Sequence, residues 1–310
     1  MIKTYALGIY PRSAKLIEAT RKNDRKLPQL FHMEKKKLIR EQQKARLSYV
    51  CDPLLDWNDM FRPFSNLKNV SLGALNRFFE TNTFYRKLMI SGELNGSSSI
   101  VKSHLAFPLL PKKKEIAVCM PDPYTFAELN ENKYYKNHTE YLFAIADMLK
   151  REVKALASAK VKFIQLNAPS IAYNADRVDI GMVRDAIERV KDGLKTKVYL
   201  HLYFGDISKI FDKLLDIKVD GLSIDLSYTR LNSLVDHKVD KGLCFGVVDA
   251  MNTKMEDVNA TAKIVSNAFD KMSPKEAYIS TTCDLEFLPY EFAVKKLSRL
   301  GAIGRNVKYD

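Results

Sequence analysis

The chain alternates between short apolar runs and longer stretches in which apolar residues recur every three or four positions. The short runs predict strands and the longer stretches predict helices. The eight predicted strands cover residues 4–10, 47–51, 115–120, 161–166, 197–204, 221–227, 243–249 and 277–283. Predicted helices lie between most of them, at residues 34–49, 137–156, 179–193, 207–216, 231–237, 255–272 and 290–300.

Strands that alternate with helices form parallel sheets, and eight such units predict a (β/α)₈ TIM barrel. A doubly wound sheet is the rival fold, but the chain has no Gly-x-Gly-x-x-Gly phosphate turn. We therefore expect one barrel domain over residues 1–310, with insertions at about 12–46 and 84–110.

The second insertion should contain a β-hairpin. The sequence Asn-Gly-Ser-Ser-Ser at 95–99 separates the apolar runs 87–94 and 100–107, and an Asn-Gly turn between two such runs is a hairpin signal. Residues 72–86, just before it, have a helical pattern that becomes extended.

The composition narrows the class of protein. No apolar run reaches the roughly 18 residues that cross a membrane, and the first residues show no signal-peptide pattern. The four cysteines lack disulfide-framework or Cys-x-x-Cys spacing. These features predict a cytoplasmic protein with reduced thiols and no membrane association.

The formal net charge is +13, and residues 1–50 hold 13 Lys and Arg against four Asp and Glu. Within that segment Lys36, Arg40 and Lys44 would form a row along one helix face, with Lys37 beside it. We call these four residues the basic row. It would attract an anionic cofactor tail, an acidic protein or nucleic acid. An ordinary solvated helix face is the competing interpretation.

Three side chains that can bind metals lie in predicted strands. His201 is in the fifth strand, Asp225 in the sixth and Cys283 at the end of the eighth. Because a parallel barrel places the carboxyl ends of its strands on one face, these side chains should converge. A catalytic zinc takes three such protein ligands and keeps one position open. The alternative is that all three are buried core or loop residues. No Gly-x-Ser-x-Gly elbow supports a serine hydrolase.

Eight motifs, in order along the chain, resemble one known family. They are Leu-Gly-Ile-Tyr-Pro-Arg (7–12), Asn-Thr-Phe-Tyr-Arg-Lys (82–87), Pro-Tyr-Thr-Phe-Ala (123–127), Ile-Gln-Leu-Asn-Ala-Pro (164–169), Tyr-Phe-Gly-Asp (203–206), Val-Asp-Gly-Leu (219–222), Gly-Val-Val-Asp-Ala-Met-Asn (246–252) and Cys-Asp-Leu (283–285). Over nearly its whole length the chain is similar to the cobalamin-independent methionine synthases. In that family the full-length enzyme has two similar barrels. The C-terminal barrel carries zinc and binds homocysteine, whereas the N-terminal barrel is non-catalytic and helps form the folate side. Some archaeal relatives have one barrel per chain.

The resemblance includes departures from the zinc-bearing barrel. The family's His-x-Cys pair corresponds to His201 and Tyr203, and its glutamate ligand corresponds to Asp225, while Cys283 is retained. A phenol is a poor zinc ligand at neutral pH, since its pKa is near 10. We therefore expect zinc to be absent or weakly held.

The residues that would bind homocysteine also differ. The family's serine after the first-strand glycine is Ile9, and its Asp-Glu-Pro is Asn-Ala-Pro at 167–169. The strand-two glutamate is missing around 54–55. A buried ammonium group needs a paired carboxylate, so we do not expect homocysteine to bind as in the catalytic barrel. The chain resembles the N-terminal barrel, or a degenerate catalytic barrel, more than an intact catalytic barrel.

We therefore expect a component of methionine biosynthesis that supports methyl transfer from a methyl-tetrahydropterin to homocysteine, together with a separate zinc-bearing barrel. The basic row would bind the anionic cofactor or this partner. The functional face should include Tyr10, Arg12, Trp57, Asp122, Asn167, Tyr203, Asp206, Asp249 and Asn252. A stand-alone zinc-dependent homocysteine methyltransferase with altered ligands is the alternative. A basic nucleic-acid-binding protein is a third hypothesis, but no binding motif accompanies the charge.

Overall fold

The computed structural model describes residues 2–94 and 99–309. Its strands are β1 (Lys3–Tyr5), β2 (Tyr49–Val50), β3 (Val70–Arg77), β4 (Phe84–Ile90), β5 (Glu115–Pro121), β6 (Glu131–Asn132), β7 (Phe163–Asn167), β8 (Lys197–Leu202), β9 (Gly221–Asp225), β10 (Gly242–Val248) and β11 (Glu276–Thr281). Its α-helices are α1 (Ala14–Arg21), α2 (Leu27–Lys44), α3 (Ile100–Ser103), α4 (Pro123–Leu129), α5 (His138–Ser158), α6 (Pro169–Tyr173), α7 (Ile180–Lys191), α8 (Phe211–Leu215), α9 (Val258–Met272) and α10 (Tyr290–Asn306).

Eight strands form one sheet of parallel neighbours in the order β1-β11-β10-β9-β8-β7-β5-β2. The last strand pairs with the first, and Tyr278 lies opposite Lys3. The two ends of this sheet meet, because the backbone N–H of Ser48 donates to the carbonyl of Thr4 at 2.9 Å. The predicted (β/α)₈ barrel is confirmed, and each predicted strand overlaps one barrel strand.

The amino end of the barrel is filled with aromatic side chains. The rings of Tyr5, Tyr49, Phe163, Tyr199 and Tyr278 pack with centroids between 4.7 and 6.5 Å apart. Rings at this spacing exclude water and add stability beyond the area they bury. The barrel is therefore a packed core, and the loops at the carboxyl ends of the strands are left to form a site.

Helix α2 covers the barrel between β1 and β2, whereas we expected an insertion over residues 12–46. Its Leu38 and Ile39 are buried. The side-chain amide of Gln42 donates to the carbonyl of Cys51 at 3.0 Å, and its oxygen accepts the N–H of Cys51 at 2.9 Å. The helix also packs against α10. It is therefore part of the helical layer, with the basic row turned outward.

The antiparallel hairpin lies earlier in the chain than predicted. Strands β3 and β4 pair from Val70 opposite Ile90 to Arg77 opposite Phe84, and β6 extends this small sheet. The prediction of a hairpin over 87–94 and 100–107 is therefore wrong, as is the predicted helix that begins at residue 72. The tip of the predicted hairpin, residues 95–98, lies outside the described residues.

A long-range contact explains why a helix replaces the predicted second hairpin strand. The carboxylate of Glu152 on α5 accepts the backbone N–H groups of Ile100 at 3.0 Å and Val101 at 2.9 Å. Free N–H groups at a helix start need such acceptors. Because the acceptor comes from a residue about fifty positions away, the local sequence does not indicate the short helix α3.

The remaining predicted helices are present, with one exception. Residues 231–237 form no α-helix, and a short 3₁₀ turn occupies Leu231–Ser233. Across residues 2–94 and 99–309, no helix combines the length and the apolar character needed to cross a lipid bilayer.

Candidate functional site

His201 lies in the core near the carboxyl end of β8. Its Nδ1 atom is 2.8 Å from the hydroxyl oxygen of Ser223, and its ring stacks on that of Tyr203 with centroids 4.9 Å apart. Burial lowers the pKa of His201 to about 4. The imidazole is therefore neutral at physiological pH and is held by a neighbouring hydroxyl group.

Asp225 ends strand β9 beside this histidine. One carboxylate oxygen accepts the backbone N–H of Ser227 at 2.8 Å and also the hydroxyl of that residue. The other oxygen is buried and has no hydrogen-bond partner in the described part of the chain. Burial raises the pKa of Asp225 to about 6. The group therefore retains one free acceptor at the carboxyl end of the barrel.

Cys283 and Tyr203 complete the set predicted to hold a metal. Burial, together with the charges of Asp225 and Asp284, raises the pKa of the Cys283 thiol well above its ordinary value. Burial likewise raises the pKa of Tyr203, whose hydroxyl lacks a partner among residues 2–94 and 99–309. Both groups are therefore protonated at neutral pH.

These donors do not fit a zinc ion. Zinc deprotonates a thiol that it binds, so the mismatch lies in Tyr203, a phenol in the place of a thiolate, and in the lack of a tetrahedral set of ligands. The described residues contain no group of three or more His, Cys, Asp and Glu side chains that could hold a metal. The strand ends bring His201, Asp225 and Cys283 to the same end of the barrel, but not into a metal-binding geometry.

Asp122 and Asn167 hold the chain locally. The carboxylate of Asp122 accepts the backbone N–H groups of Tyr124 at 2.9 Å and Thr125 at 3.1 Å, and thus caps α4. Burial raises the pKa of Asp122 to about 7, against the lowering effect of these bonds. The side-chain oxygen of Asn167 accepts the amide of Gln165 at 2.8 Å. Both residues are almost fully buried.

Three further predicted residues stabilise turns at the same end of the barrel. Each side-chain oxygen accepts a backbone N–H two residues later at 2.8–2.9 Å, as turn-forming Asp and Asn residues do. These residues are Asp206, Asp249 and Asn252. We therefore place all three on the functional face. None of them lines the cavity between the loops that follow β1, β2 and β11.

A cavity of about 550 Å³ opens between the loops that follow β1, β2 and β11. We call it the carboxyl-end cavity. Its lining includes the predicted residues Tyr10, Arg12 and Trp57, together with Phe84 and Tyr290. The indole N–H of Trp57 is buried and has no acceptor in the described part of the chain. An unpaired buried donor costs free energy, so it marks a position where a ligand acceptor would be favourable.

Arg12 is fixed at the rim of this cavity. Its Nε donates to the carbonyl of Leu55 at 2.7 Å, and one terminal nitrogen donates to Asn58 at 3.1 Å. The guanidinium also lies over the ring of Phe31, 5.6 Å from its centroid. These contacts hold the charge in place. Tyr10, by contrast, points its hydroxyl away to the carbonyl of Ala6 at 2.9 Å.

Sequence reasoning missed two acidic residues at this end of the barrel: Glu286, which lines the carboxyl-end cavity, and Asp284, which is buried beside it. Asp284 accepts the backbone N–H of Ile9 at 3.2 Å, and its other oxygen is buried without a partner among the described residues. Burial raises the pKa of Asp284, and burial together with the Asp284 charge raises that of Glu286. The sequence did contain an indication of this pair, because two acidic residues two positions apart follow the last strand.

The basic row lies on the outer face of α2. Lys36 and Arg40 are exposed and make no hydrogen bond or ion pair within residues 2–94 and 99–309, whereas Lys44 pairs with Glu41 at 2.8 Å. The ammonium of Lys37 lies 4.9 Å from the ring centroid of Tyr290, which lines the carboxyl-end cavity. The basic row therefore begins at the rim of this cavity.

Comparison with known proteins identifies the family of the chain. A family model described as "Cobalamin-independent synthase, N-terminal domain" matches residues 65–273. A methionine synthase of Sulfolobus acidocaldarius is 25% identical over 306 residues, which cover 96% of this chain and 89% of the relative. A methionine synthase of Pyrococcus furiosus is 24% identical, over 100% of this chain and 94% of the relative.

Two solved structures share the fold. One is a B12-independent methionine synthase from a Shewanella species in complex with selenomethionine, with a TM-score of 0.77, 16% identity, and coverage of 98% of this chain and 96% of that one. The other is a putative vitamin-B12-independent methionine synthase from Listeria monocytogenes, with a TM-score of 0.78, 14% identity and full coverage of both chains. The matched model spans about two thirds of the sequence and the eight-stranded barrel agrees with these structures, so the chain belongs to the cobalamin-independent methionine synthase family.

Proposed function

We propose that this barrel takes part in methionine biosynthesis by supporting methyl transfer from a methyl-tetrahydropterin to homocysteine, together with a separate zinc-bearing barrel. The observation that carries the proposal is the contrast between two parts of one barrel face. The residues that correspond to the family's zinc ligands do not fit zinc. The neighbouring carboxyl-end cavity, however, is open, and its lining residue Trp57 has a buried indole N–H without an acceptor in the described part of the chain.

The partner barrel supplies the metal in this arrangement. Tyr203 stacks on His201 in the position that corresponds to a thiolate ligand, and the thiol of Cys283 is protonated at neutral pH. The family model that matches is the N-terminal domain, which agrees with a barrel that assists rather than binds zinc. The four free cysteines are buried and would stay reduced in the cytoplasm, where we place the reaction.

The carboxyl-end cavity binds the methyl donor. The rings of Trp57, Phe84 and Tyr290 line it and provide stacking surfaces for a flat heterocycle. The indole N–H of Trp57 donates to an acceptor of the ligand. The anionic part of the cofactor passes Lys37 towards the basic row, where exposed ammonium and guanidinium groups attract it.

Steady-state methyl transfer tests this assignment. The assay contains homocysteine, a methyl-tetrahydropterin and the zinc-bearing barrel, with and without this chain. We expect product to form well above background only with both barrels. Trp57→Phe keeps a six-membered aromatic ring but removes the indole N–H. It should raise KM for the methyl donor about tenfold, because one hydrogen bond to a buried group contributes about that much to binding.

Tyr228→Phe is the matched control, because Tyr228 is an exposed aromatic residue at the same end of the barrel and does not line the cavity. Its KM should equal that of the unmodified protein. Full activity of the partner barrel without this chain, or the same KM for Trp57→Phe and Tyr228→Phe, would contradict the proposal.

The alternative function, a stand-alone zinc-dependent homocysteine methyltransferase, is favoured by one observation: His201, Asp225 and Cys283 lie at neighbouring strand ends. We expect purified protein to contain well under one zinc per chain, because a buried phenol replaces a thiolate ligand. Elemental analysis measures this directly. Stoichiometric zinc that disappears in Cys283→Ala would support the alternative and overturn the partner model.

A further inference from the structure

A second cavity, of about 470 Å³, lies at the opposite, amino end of the barrel. We call it the amino-end cavity. Five lysines line it, against one acidic residue, Glu115. They come from the start of β1, from the turn between α5 and β7, and from the turn into β8: Lys3, Lys160, Lys162, Lys195 and Lys197. Charges from three segments therefore converge on one opening.

Two of these lysines share one carboxylate. The carboxylate of Glu276 pairs with Lys3 at 3.0 Å and also with Lys197. The other three, Lys160, Lys162 and Lys195, are exposed and have no acceptor or carboxylate partner within residues 2–94 and 99–309. The opening thus keeps an excess of positive charge that the described residues do not balance.

The adjacent surface differs from the amino-end cavity in how its basic residues are paired. A neighbouring cavity of about 580 Å³ is also lined by basic residues. There Lys218 pairs with Glu188 at 3.4 Å, Arg189 pairs with Asp147 at 2.6 Å, and Lys191 pairs with Asp220. Basic residues of the adjacent cavity are therefore largely paired with carboxylates, whereas Lys160, Lys162 and Lys195, the last of which lines both cavities, have no such partner among the described residues.

The composition of the lining favours a compact anion with several charges. It contains lysines and no arginine, so it presents separate point charges from three segments rather than one planar fork. The volume lies within the range of small-molecule sites, about 300–1,000 Å³. We propose that the amino-end cavity binds a small oligophosphate anion through Lys160, Lys162 and Lys195.

Calorimetric titration of the full chain with inorganic triphosphate at low salt tests this site. The expected result is saturable binding of one triphosphate per chain, which weakens as salt rises because exposed charges are screened. Lys162→Glu/Lys195→Glu should weaken binding by about tenfold or more, since two attractive charges become repulsive. Both side chains are exposed, so the melting temperature without ligand should not change.

The matched control is Lys263→Glu/Lys271→Glu on α9, which makes the same change in net charge at two exposed lysines away from the cavity. It should keep the affinity of the unmodified protein within about twofold. Absence of saturable binding to the unmodified protein overturns the proposal. So does an equal loss of affinity in both double variants, because the anion would then respond to net charge alone. The titration measures binding and not methyl transfer, so it is independent of the function proposed above.

Discussion

Gly8 packs directly against the carboxylate of Asp284, and no space is left there for a side chain at position 8. Gly8 has a φ of +117°, and a Cβ atom added there would lie 2.1 Å from a carboxylate oxygen of Asp284. The same carboxylate accepts the N–H of Ile9. The glycine therefore allows the buried acid to pack against the backbone that follows β1.

Gly8→Ala should destabilise the protein by about 2–4 kcal/mol, because the side chain meets both a forbidden backbone region and the buried acid. Gly193→Ala is the control. Gly193 also has a positive φ, of +71°, but no atom lies within 4 Å of the added Cβ. It should cost about 1 kcal/mol. Urea denaturation measures both, and equal losses would mean that contact with Asp284 has no effect.

The buried imidazole of His201 predicts a pH dependence. Its pKa is about 4 in the folded protein against 6.5 ordinarily. The folded state therefore binds fewer protons than the unfolded state between these values. The stability it contributes is present above 6.5 and is lost as pH falls towards 4.

In His201→Gln this titration is absent. From about pH 7 to about pH 5, the unmodified protein should lose about 2 kcal/mol more stability than the variant does. Denaturant titrations at both pH values measure the difference. The pKa of Asp225 is raised on folding, so its contribution to the pH dependence of stability has the opposite sign. This contribution is the same in both proteins and cancels when they are compared. Parallel losses would show that the imidazole is not neutral in the folded state.

At the scale of the element, α2 shows what a sequence pattern can and cannot reveal. Lys35 has the same sequence context as Lys36, yet it is buried and pairs with Asp52 at 3.1 Å and Asp56 at 2.7 Å. The partners lie about twenty residues away in the loop after β2. The helical pattern predicted the helix, but only tertiary packing separates its inner lysine from its outer ones.

Lys35→Ala should cost about 3–5 kcal/mol, because it leaves Asp52 buried without its cation. Lys36→Ala, one position along and exposed, should change stability by less than about 0.5 kcal/mol. Thermal and urea unfolding compare the two. A small loss in Lys35→Ala would mean that water reaches Asp52 and replaces the ammonium group.

The basic row predicts a second, purely functional effect of the same helix. Lys36→Glu/Arg40→Glu should weaken association with the partner barrel or the cofactor, and this binding should fall as salt rises. Folding should be unchanged, since both side chains are exposed. Binding measured at low salt that equals that of the unmodified protein would make the row an ordinary solvated surface.

At the scale of the whole molecule, the sequence predicted what depends on local burial. The barrel strands β8 and β10 are buried at nearly every position, so they appear as largely apolar runs. His201 and Asp225 were visible as polar interruptions of such runs. The contact of Asp284 with Gly8 was not, because it joins positions at opposite ends of the chain. Trp57 was predicted on the functional face, but nothing local in the sequence indicates that it lines the carboxyl-end cavity beside the loops after β1 and β11.

The pairing of β1 with β11 has a consequence for synthesis on the ribosome. The hydrogen bonds between β1 and β11 cannot form until residue 278 has been synthesised, because residue 3 lies opposite it. At about 5–20 residues per second, that interval lasts tens of seconds. During this time the nascent chain holds an unsealed row of strands whose free edges can pair with other chains. Rapid closure of the barrel therefore depends on the segment that contains β11. Slow emergence of that segment from the ribosome would favour aggregation over folding.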